Sequence, residues 1–275
     1  MSELASETSA PGVADVFARC RAEGRGALVG YLPAGYPTVD GGVELLTAMS
    51  QGGCDLLEVG VPYSDPVMDG PTIQAAADTA LRNGFRLRDV FSTVERVTAA
   101  GGHCVVMTYF NPVLRYGVDR FAADLAAAGG LGVITPDLIP DEADEWFAAS
   151  EKHGLSRIFL VSPSSTDERI ASTTAASSGF VYATSIMGVT GARDSVNSAA
   201  GEIVARTRPH TSLPIGVGLG VRNGDQAAEI AGFADGVIVG SAFVSAAEQG
   251  GPEAVRTLAR ELAAGVARAG LPQPV

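Results

Sequence analysis

Glu58 and Asp69 are the residues whose surroundings in the sequence most clearly predict chemistry. Glu58 lies in the otherwise apolar, strand-like run Leu56–Val59, where burial of an unpaired carboxylate costs on the order of several kcal/mol. Burial raises the pKa of a carboxyl group and suits it to general acid–base catalysis, unless a buried arginine neutralises it. Asp69 follows on a loop stiffened by three prolines, as a positioned catalytic group requires. For Asp65 on this loop, solvation, helix capping and contact with a partner are all open.

Glycine clusters that suit anion binding follow the last three strand-like runs of the chain. They are Gly188–Gly191, Gly216–Gly220 and the pair Gly240-Ser241. Backbone N–H groups at a helix start bind a phosphate without side-chain charge, although turns alone also account for many glycines. We predict a phosphate site here, with a mobile lid over residues 186–197. The residues assigned to the phosphate are Gly191, Gly220, Gly240 and Ser241.

The elements that must position these residues repeat as a β-branched run, a turn and an alanine-rich helical stretch. Such alternation predicts parallel strands joined by helical crossovers. The predicted strands are Ala27–Tyr31, Leu56–Val59, Cys104–Thr108, Leu131–Ile134, Arg157–Val161, Phe180–Ala183, Pro214–Val217 and Gly236–Val239. The predicted helices lie near residues 12–23, 39–51, 72–83, 87–100, 118–128, 141–153, 167–177, 199–207, 223–231 and 252–269.

Eight strands with helical crossovers favour a closed (β/α)8 barrel over an open doubly wound sheet. The segment after the first strand, Leu32–Pro37, also lacks the glycine fingerprint of a dinucleotide-binding sheet. The predicted fold class is therefore α/β, a single (β/α)8 TIM barrel domain over residues 12–275 after a disordered lead-in at 1–11. An extra N-terminal helix and a short helix after strand eight complete it. The carboxyl ends of all strands open on one face, so Glu58 and the glycine loops should meet there.

The composition of the 275-residue chain excludes several classes of function. A formal net charge of −12 without a basic stripe argues against nucleic acid as a partner. No apolar run approaches the ~20 residues of a membrane helix. Three cysteines without CxxC spacing favour a reducing cytoplasm, and the histidines lack metal-ligand spacing. We therefore expect a cytoplasmic protein without a metal, nucleic-acid or membrane site.

At these residues the sequence resembles the alpha subunit of tryptophan synthase. The similarity covers almost the whole barrel and is most specific over Glu58–Thr72. The resemblance implies a lyase of tryptophan biosynthesis that cleaves indole-3-glycerol phosphate to indole and glyceraldehyde 3-phosphate in a retro-aldol reaction. The other matching segments are Pro33–Pro37, Met107–Pro112, Pro136–Leu138, Gly188–Gly191, Gly216–Gly220 and Gly240-Ser241.

The same resemblance implies roles for individual residues. Glu58 would transfer the protons, while Asp69 would bind the indole N–H and stabilise the positive charge that develops on the ring. Thr190 would orient Asp69, and Tyr182 would line the pocket. The residues implied to enclose the indole are Tyr31, Ile73, Met107, Ile134 and Leu219.

The family also implies a partner, a beta subunit that carries pyridoxal phosphate in an α2β2 complex, whereas the alpha chain needs no cofactor. Asp65, Pro66, Phe110 and Asn111 match the surface that faces the beta subunit. One alternative is another phosphate-binding barrel, such as a sugar-phosphate isomerase or an indole-releasing lyase that acts without a beta subunit. A second is a catalytically silent barrel that serves only as an allosteric binding subunit.

Overall fold

The computed structural model describes residues 12–184 and 193–272, in which nine strands form one parallel sheet. The predicted lead-in at 1–11 lies outside these ranges. The strands are β1 (Ala27–Pro33), β2 (Leu56–Gly60), β3 (Cys104–Met107), β4 (Gly132–Ile134), β5 (Ser156–Ile158), β6 (Leu160–Val161), β7 (Val181–Thr184), β8 (Ile215–Gly218) and β9 (Gly236–Val239). Their order in the sheet is β5-β4-β3-β2-β1-β9-β8-β7-β6.

The sheet closes into a barrel because the two ends of this order are consecutive in the chain. Phe159 alone separates β5, which pairs with β4, from β6, which pairs with β7. At Phe159 the chain stops pairing with β4 and begins to pair with β7. The Phe159 carbonyl oxygen accepts a hydrogen bond from the Tyr182 N–H of β7 at 3.1 Å. The predicted strand Arg157–Val161 is therefore divided in two but fills one position of the barrel. The predicted (β/α)8 architecture is confirmed.

Helices alternate with these strands and enclose the barrel. They are α1 (Val13–Ala22), α2 (Val39–Gly52), α3 (Pro71–Arg82), α4 (Asp89–Ala99), α5 (Phe110–Tyr116), α6 (Val118–Ala127), α7 (Asp144–His153), α8 (Asp167–Ala176), α9 (Arg193–Thr207), α10 (Gly224–Ala231) and α11 (Ser241–Ala269), with 3-10 turns at Pro140–Glu142 and Arg208–His210. No helix within the described ranges has both the length and the apolar character needed to cross a lipid bilayer.

Three helices differ from the sequence-based expectation. Helix α5 was not predicted, because Pro112 reads as a helix breaker in the sequence. In the structure Pro112 lies in the first turn of α5, where a helix tolerates proline. Helix α9 begins at Arg193 rather than near residue 199, since the added turn has little apolar periodicity in the sequence. Helix α11 kinks at Gly250 and Gly251, so its first part is the short helix predicted after strand eight and the rest is the predicted final helix.

The amino-terminal end of the barrel is closed by apolar packing and by paired charges. Phe17 of α1 packs on Phe180 inside the barrel, with ring centroids 5.2 Å apart. Asp55 accepts hydrogen bonds from the Leu28 N–H at 2.9 Å and from the Arg25 guanidinium at 2.7 Å. Both groups of this partly buried ion pair are therefore satisfied, and they fix the end opposite to the predicted site.

Gly265 lies where α10 and α11 pack closely together. A Cβ at this position would lie 2.0 Å from the Gly224 carbonyl oxygen, so the helices must shift to admit one. We expect Gly265→Ala to lower the free energy of unfolding by about 1–3 kcal/mol, measured by urea denaturation. Gly201→Ala in α9 is the matched control, because its Cβ would meet open space. Equal destabilisation by both variants would contradict this account of the packing.

Candidate active site

A cavity of about 220 Å³ lies at the end of the barrel where the strands reach their carboxyl termini. Its walls come from strands on both sides of the barrel and from the loops that follow β2, β8 and β9. The lining residues are Tyr31, Glu58, Met68, Asp69, Ile73, Met107, Tyr182, Thr184, Gly218, Leu219, Gly220, Ile238, Gly240 and Ser241.

Most residues that the sequence assigned to a site therefore meet in one cavity. Met68, Thr184, Gly218 and Ile238 also line it but were missed. Met68 precedes the predicted Asp69, and Thr184 and Gly218 end their strands, so strand-end position was the signal that could have found them. The predicted residues that line the cavity are Tyr31, Glu58, Asp69, Ile73, Met107, Tyr182, Leu219, Gly220, Gly240 and Ser241.

The structure does not bring every assigned residue to this cavity. Ile134 is fully buried in the barrel interior, in register with Met107 on β3, and does not line the cavity. Thr190 and Gly191 lie outside the described residues, as does most of the predicted lid at 186–197, of which only the start of α9 is described. Asp65 and Asn111, both assigned to a partner, are exposed outside the cavity. Of the other two partner residues, Pro66 is partly exposed and Phe110 is buried at the start of α5.

Glu58 is a buried carboxyl group to which no described residue supplies a counter-ion. Its side chain projects from β2 into the cavity, and the residue is only 1% exposed. Among the described residues, Oε2 has no hydrogen-bond partner and no arginine acts on the pKa of the group. Desolvation, reinforced by the negative charge of Asp69, raises the pKa of Glu58 to about 8. A carboxyl group with this pKa keeps its proton at neutral pH and can donate it.

Two tyrosine hydroxyls accompany Glu58 in the cavity. Tyr31 lies opposite Glu58 in the β1–β2 register, and Tyr182 enters from β7. Burial raises the pKa of both hydroxyls well above the usual value, and the carboxylates Glu58 and Asp69 add to the effect. Both tyrosines therefore remain neutral and give the cavity a wall that is aromatic with polar tips.

Glycines at the strand ends make room for these tyrosines. A Cβ on Gly60 would lie 2.4 Å from the Tyr31 hydroxyl oxygen, and one on Gly218 would lie 2.5 Å from that of Tyr182. A larger residue at either position would push a ring across the cavity. The glycine-rich sequence around Gly218 thus serves the shape of the pocket as well as its backbone N–H groups.

Asp69 enters the cavity from the loop between β2 and α3. Gln74 on α3 holds the main chain of Asp69, donating its side-chain N–H to the Asp69 carbonyl oxygen at 2.7 Å. The Asp69 side chain is partly exposed, and desolvation raises its pKa. The cavity therefore holds two carboxyl groups in different environments, one fully buried and one partly exposed to solvent.

The far end of the cavity is suited to an anion. Gly240 precedes α11 and Ser241 begins it, and the first turn of this helix contains no acidic residue. Unpaired N–H groups and the positive end of the helix dipole are therefore available beside the Ser241 hydroxyl. Across the described ranges, no group of three or more His, Cys, Asp and Glu side chains is arranged to hold a metal ion.

The fold and the cavity define a (β/α)8-barrel protein with two carboxyl groups in a cavity at the carboxyl end of its strands. A profile of the family described as tryptophan synthase alpha chain matches residues 17–269. The tryptophan synthase alpha chain of Mycobacteroides abscessus is 66% identical over 255 residues, which cover 93% of this chain and 97% of the relative. That of Nocardia farcinica is 68% identical over 254 residues, covering 92% and 95%.

Solved structures agree with these relatives. A structure of Mycobacterium tuberculosis tryptophan synthase superposes with a TM-score of 0.89 at 62% identity, covering 94% of this chain and 99% of that one. The alpha subunit of Legionella pneumophila superposes with a TM-score of 0.86 at 30% identity, covering 94% and 100%. The chain belongs to the tryptophan synthase alpha chain family, and it is a lyase of that family's alpha reaction. The resemblance seen in the sequence is confirmed.

Replacing the ionisable carboxyl group of Glu58 with a neutral amide should stabilise the fold in a pH-dependent way. The folded state holds a proton on Glu58 up to about pH 8, whereas an unfolded glutamate loses it near pH 4.3. Between these values, rising pH destabilises the native chain through this group. We therefore expect the melting temperature of Glu58→Gln to exceed that of the native chain by a margin that grows from pH 5 to pH 8.

Differential scanning calorimetry across this pH range measures that margin. Glu95→Gln, on the exposed face of α4, is the matched control and should show no such growth. A margin that is constant or shrinks with pH would contradict the raised pKa of Glu58.

Proposed function

We propose that Glu58 and Asp69 share the chemistry of the alpha reaction in this chain, the retro-aldol cleavage of indole-3-glycerol phosphate. The observation that carries the proposal is the unpaired, buried carboxyl group of Glu58 in one cavity with Asp69. A neutral acid and a second carboxylate are the two groups that the reaction needs, because it moves a proton onto the indole ring and leaves positive charge there.

Glu58 transfers both protons of the reaction. Its neutral carboxyl group first protonates the ring carbon that bears the glycerol side chain. The carboxylate so formed accepts the proton of the hydroxyl group next to the ring, and the bond between the ring and the side chain breaks. The bonding electrons return to the ring, the side chain leaves as the aldehyde of glyceraldehyde 3-phosphate, and Glu58 is again protonated.

Asp69 stabilises the intermediate between these two steps. Protonation of the ring places positive charge on the indole nitrogen, and a carboxylate that accepts its N–H hydrogen bond favours that charge. The partial exposure of Asp69 supports this division of labour, because solvent lowers the cost of ionising it relative to the buried Glu58.

The remaining lining residues bind the two ends of the substrate. Aromatic and aliphatic side chains enclose the indole, and Ile134 supports Met107 from the barrel interior. The phosphate lies at the start of α11, where neutral N–H groups and the positive end of the helix dipole hold it. The residues of the indole pocket are Tyr31, Ile73, Met107, Tyr182 and Leu219, and those of the phosphate site that line the cavity are Gly220, Gly240 and Ser241. By the family resemblance, Gly191 also binds the phosphate and Thr190 orients Asp69.

The chain works with a beta subunit in a cytoplasmic α2β2 heterotetramer. Supporting this, apolar side chains are exposed beside the residues assigned to the partner: Val67 is 81% exposed and Leu114 is 54% exposed. Asp65, Pro66 and Asn111 form the rest of this partner surface, and Phe110, also assigned to the partner, is buried next to Asn111 at the start of α5. Pyridoxal phosphate belongs to the beta subunit, and this chain needs no cofactor of its own.

Glu58→Gln should abolish most of the activity, because an amide cannot donate or accept the transferred protons. We expect kcat for indole release from indole-3-glycerol phosphate to fall by about 10²–10⁴-fold. In the native chain, kcat/KM should fall as the pH rises through about 8, where free Glu58 loses its proton. A loss below about threefold in Glu58→Gln would remove this residue from the mechanism.

Titration of the purified chain with its beta subunit tests the proposed assembly. We expect the rate of indole release to rise markedly and to saturate at one beta chain per alpha chain. Leu114→Asp should weaken the complex. Leu271→Asp introduces the same charge at an exposed leucine outside the partner surface and should not. Fast turnover of the isolated chain with no response to the beta subunit would favour a lyase that acts alone.

A further inference from the structure

The hydroxyl group of Tyr109 holds the loop that carries Asp69. Tyr109 follows β3 and is only 4% exposed. Its oxygen accepts hydrogen bonds from two consecutive backbone N–H groups, those of Val67 and Met68, each at 2.9 Å. These peptides immediately precede Asp69, so one side chain fixes the orientation of the main chain at the point where it enters the cavity.

Tyr109 is itself held firmly on the barrel. The Thr108 hydroxyl donates to the Tyr109 carbonyl oxygen at 2.8 Å, and the Phe110 N–H donates to the Asp137 carboxylate at 2.9 Å. The Tyr109 ring also packs on Tyr63, with centroids 5.2 Å apart. A buried ring with fixed backbone on both sides has little rotational freedom, and its hydroxyl is thus a rigid anchor.

The other side of Asp69 is held by Gln74, whose side chain bonds the Asp69 carbonyl oxygen. By contrast, none of the described residues donates a hydrogen bond to the Asp69 carboxylate itself. Within this part of the chain, the direction of that carboxylate follows from the main chain between the two anchors. The loop is otherwise exposed, with Val67 81% and Met68 46% exposed, so packing does little to fix it.

We propose that Tyr109 is a positioning residue for Asp69, setting the direction of its carboxylate through the hydrogen bonds to Val67 and Met68. The inference rests on the proposed role of Asp69 in the reaction. A misplaced carboxylate still admits the substrate but stabilises the charged ring less well, so the loss falls on turnover rather than on binding.

Tyr109→Phe removes the anchoring oxygen and keeps the buried ring. We expect kcat for indole release to fall about five- to tenfold, as for the loss of two hydrogen bonds, while KM stays within about twofold. Tyr116→Phe on α5 is the matched control, because its hydroxyl bonds the surface carboxylate of Asp124 and should leave kcat unchanged. Thermal melting of each variant reports whether the fold is retained. An unchanged kcat in a folded Tyr109→Phe chain would overturn the proposal.

A double-mutant cycle separates this inference from the proposed function. In the Asp69→Asn background, Tyr109→Phe should lower kcat by less than twofold, because the group that it positions is already lost. If the two effects multiply, Tyr109 acts independently of Asp69 and the positioning role is wrong. If Asp69→Asn alone leaves kcat unchanged, the proposed function fails instead.

Discussion

Desolvation of one carboxyl group inside the barrel governs both the chemistry of this chain and the packing around its site. Glu58 is excluded from water, no described residue supplies it with a counter-ion, and the resulting preference for its neutral form is on the order of 5 kcal/mol. An arginine would remove this cost but would also leave Glu58 ionised at neutral pH. The absence of such a partner among the described residues is what makes the group an acid, and the apolar core of the barrel offsets its cost.

The two ends of the barrel treat buried carboxylates in opposite ways. At the amino-terminal end, Asp55 and Asp235 each receive a backbone N–H and an arginine, and they stabilise the strand starts. At the carboxyl end, Glu58 receives neither for its Oε2 atom from any described residue. The carboxylates at the amino-terminal end of the barrel thus stabilise the fold, whereas the carboxyl group of Glu58 at the other end retains an oxygen that can interact with a substrate.

The sequence predicted the parts of this structure that depend on local pattern. Alternating apolar runs and helical stretches were enough to predict the barrel, and the polarity of Glu58 within Leu56–Gly60 was enough to indicate a site. Pairing between strands is not local, so the change of neighbour at Phe159 could not be predicted. Ile134 shows the same limit: the family resemblance implied that it encloses the indole, whereas in the structure it is buried beside Met107 in the barrel interior and does not line the cavity.

The function of Tyr109 was hidden for a related reason. Its hydroxyl accepts hydrogen bonds from backbone N–H groups about forty positions earlier in the chain. Periodicity in the sequence cannot reveal such a distant contact. The glycine cluster that contains Gly218 was predicted to bind phosphate, whereas in the structure Gly60 and Gly218 provide space for tyrosine hydroxyls. Sequence patterns therefore indicated which residues matter, and the contacts between distant strands determine what each of them does.

The protonation state of Glu58 is the most direct test of this account. The carboxyl carbon of Glu58 can be followed by NMR in a chain labelled with 13C at glutamate, with Glu58→Gln used to assign its resonance. We expect a titration centred near pH 8 for Glu58, well above that of the exposed glutamates. A resonance that shows Glu58 already ionised at pH 6 would contradict it.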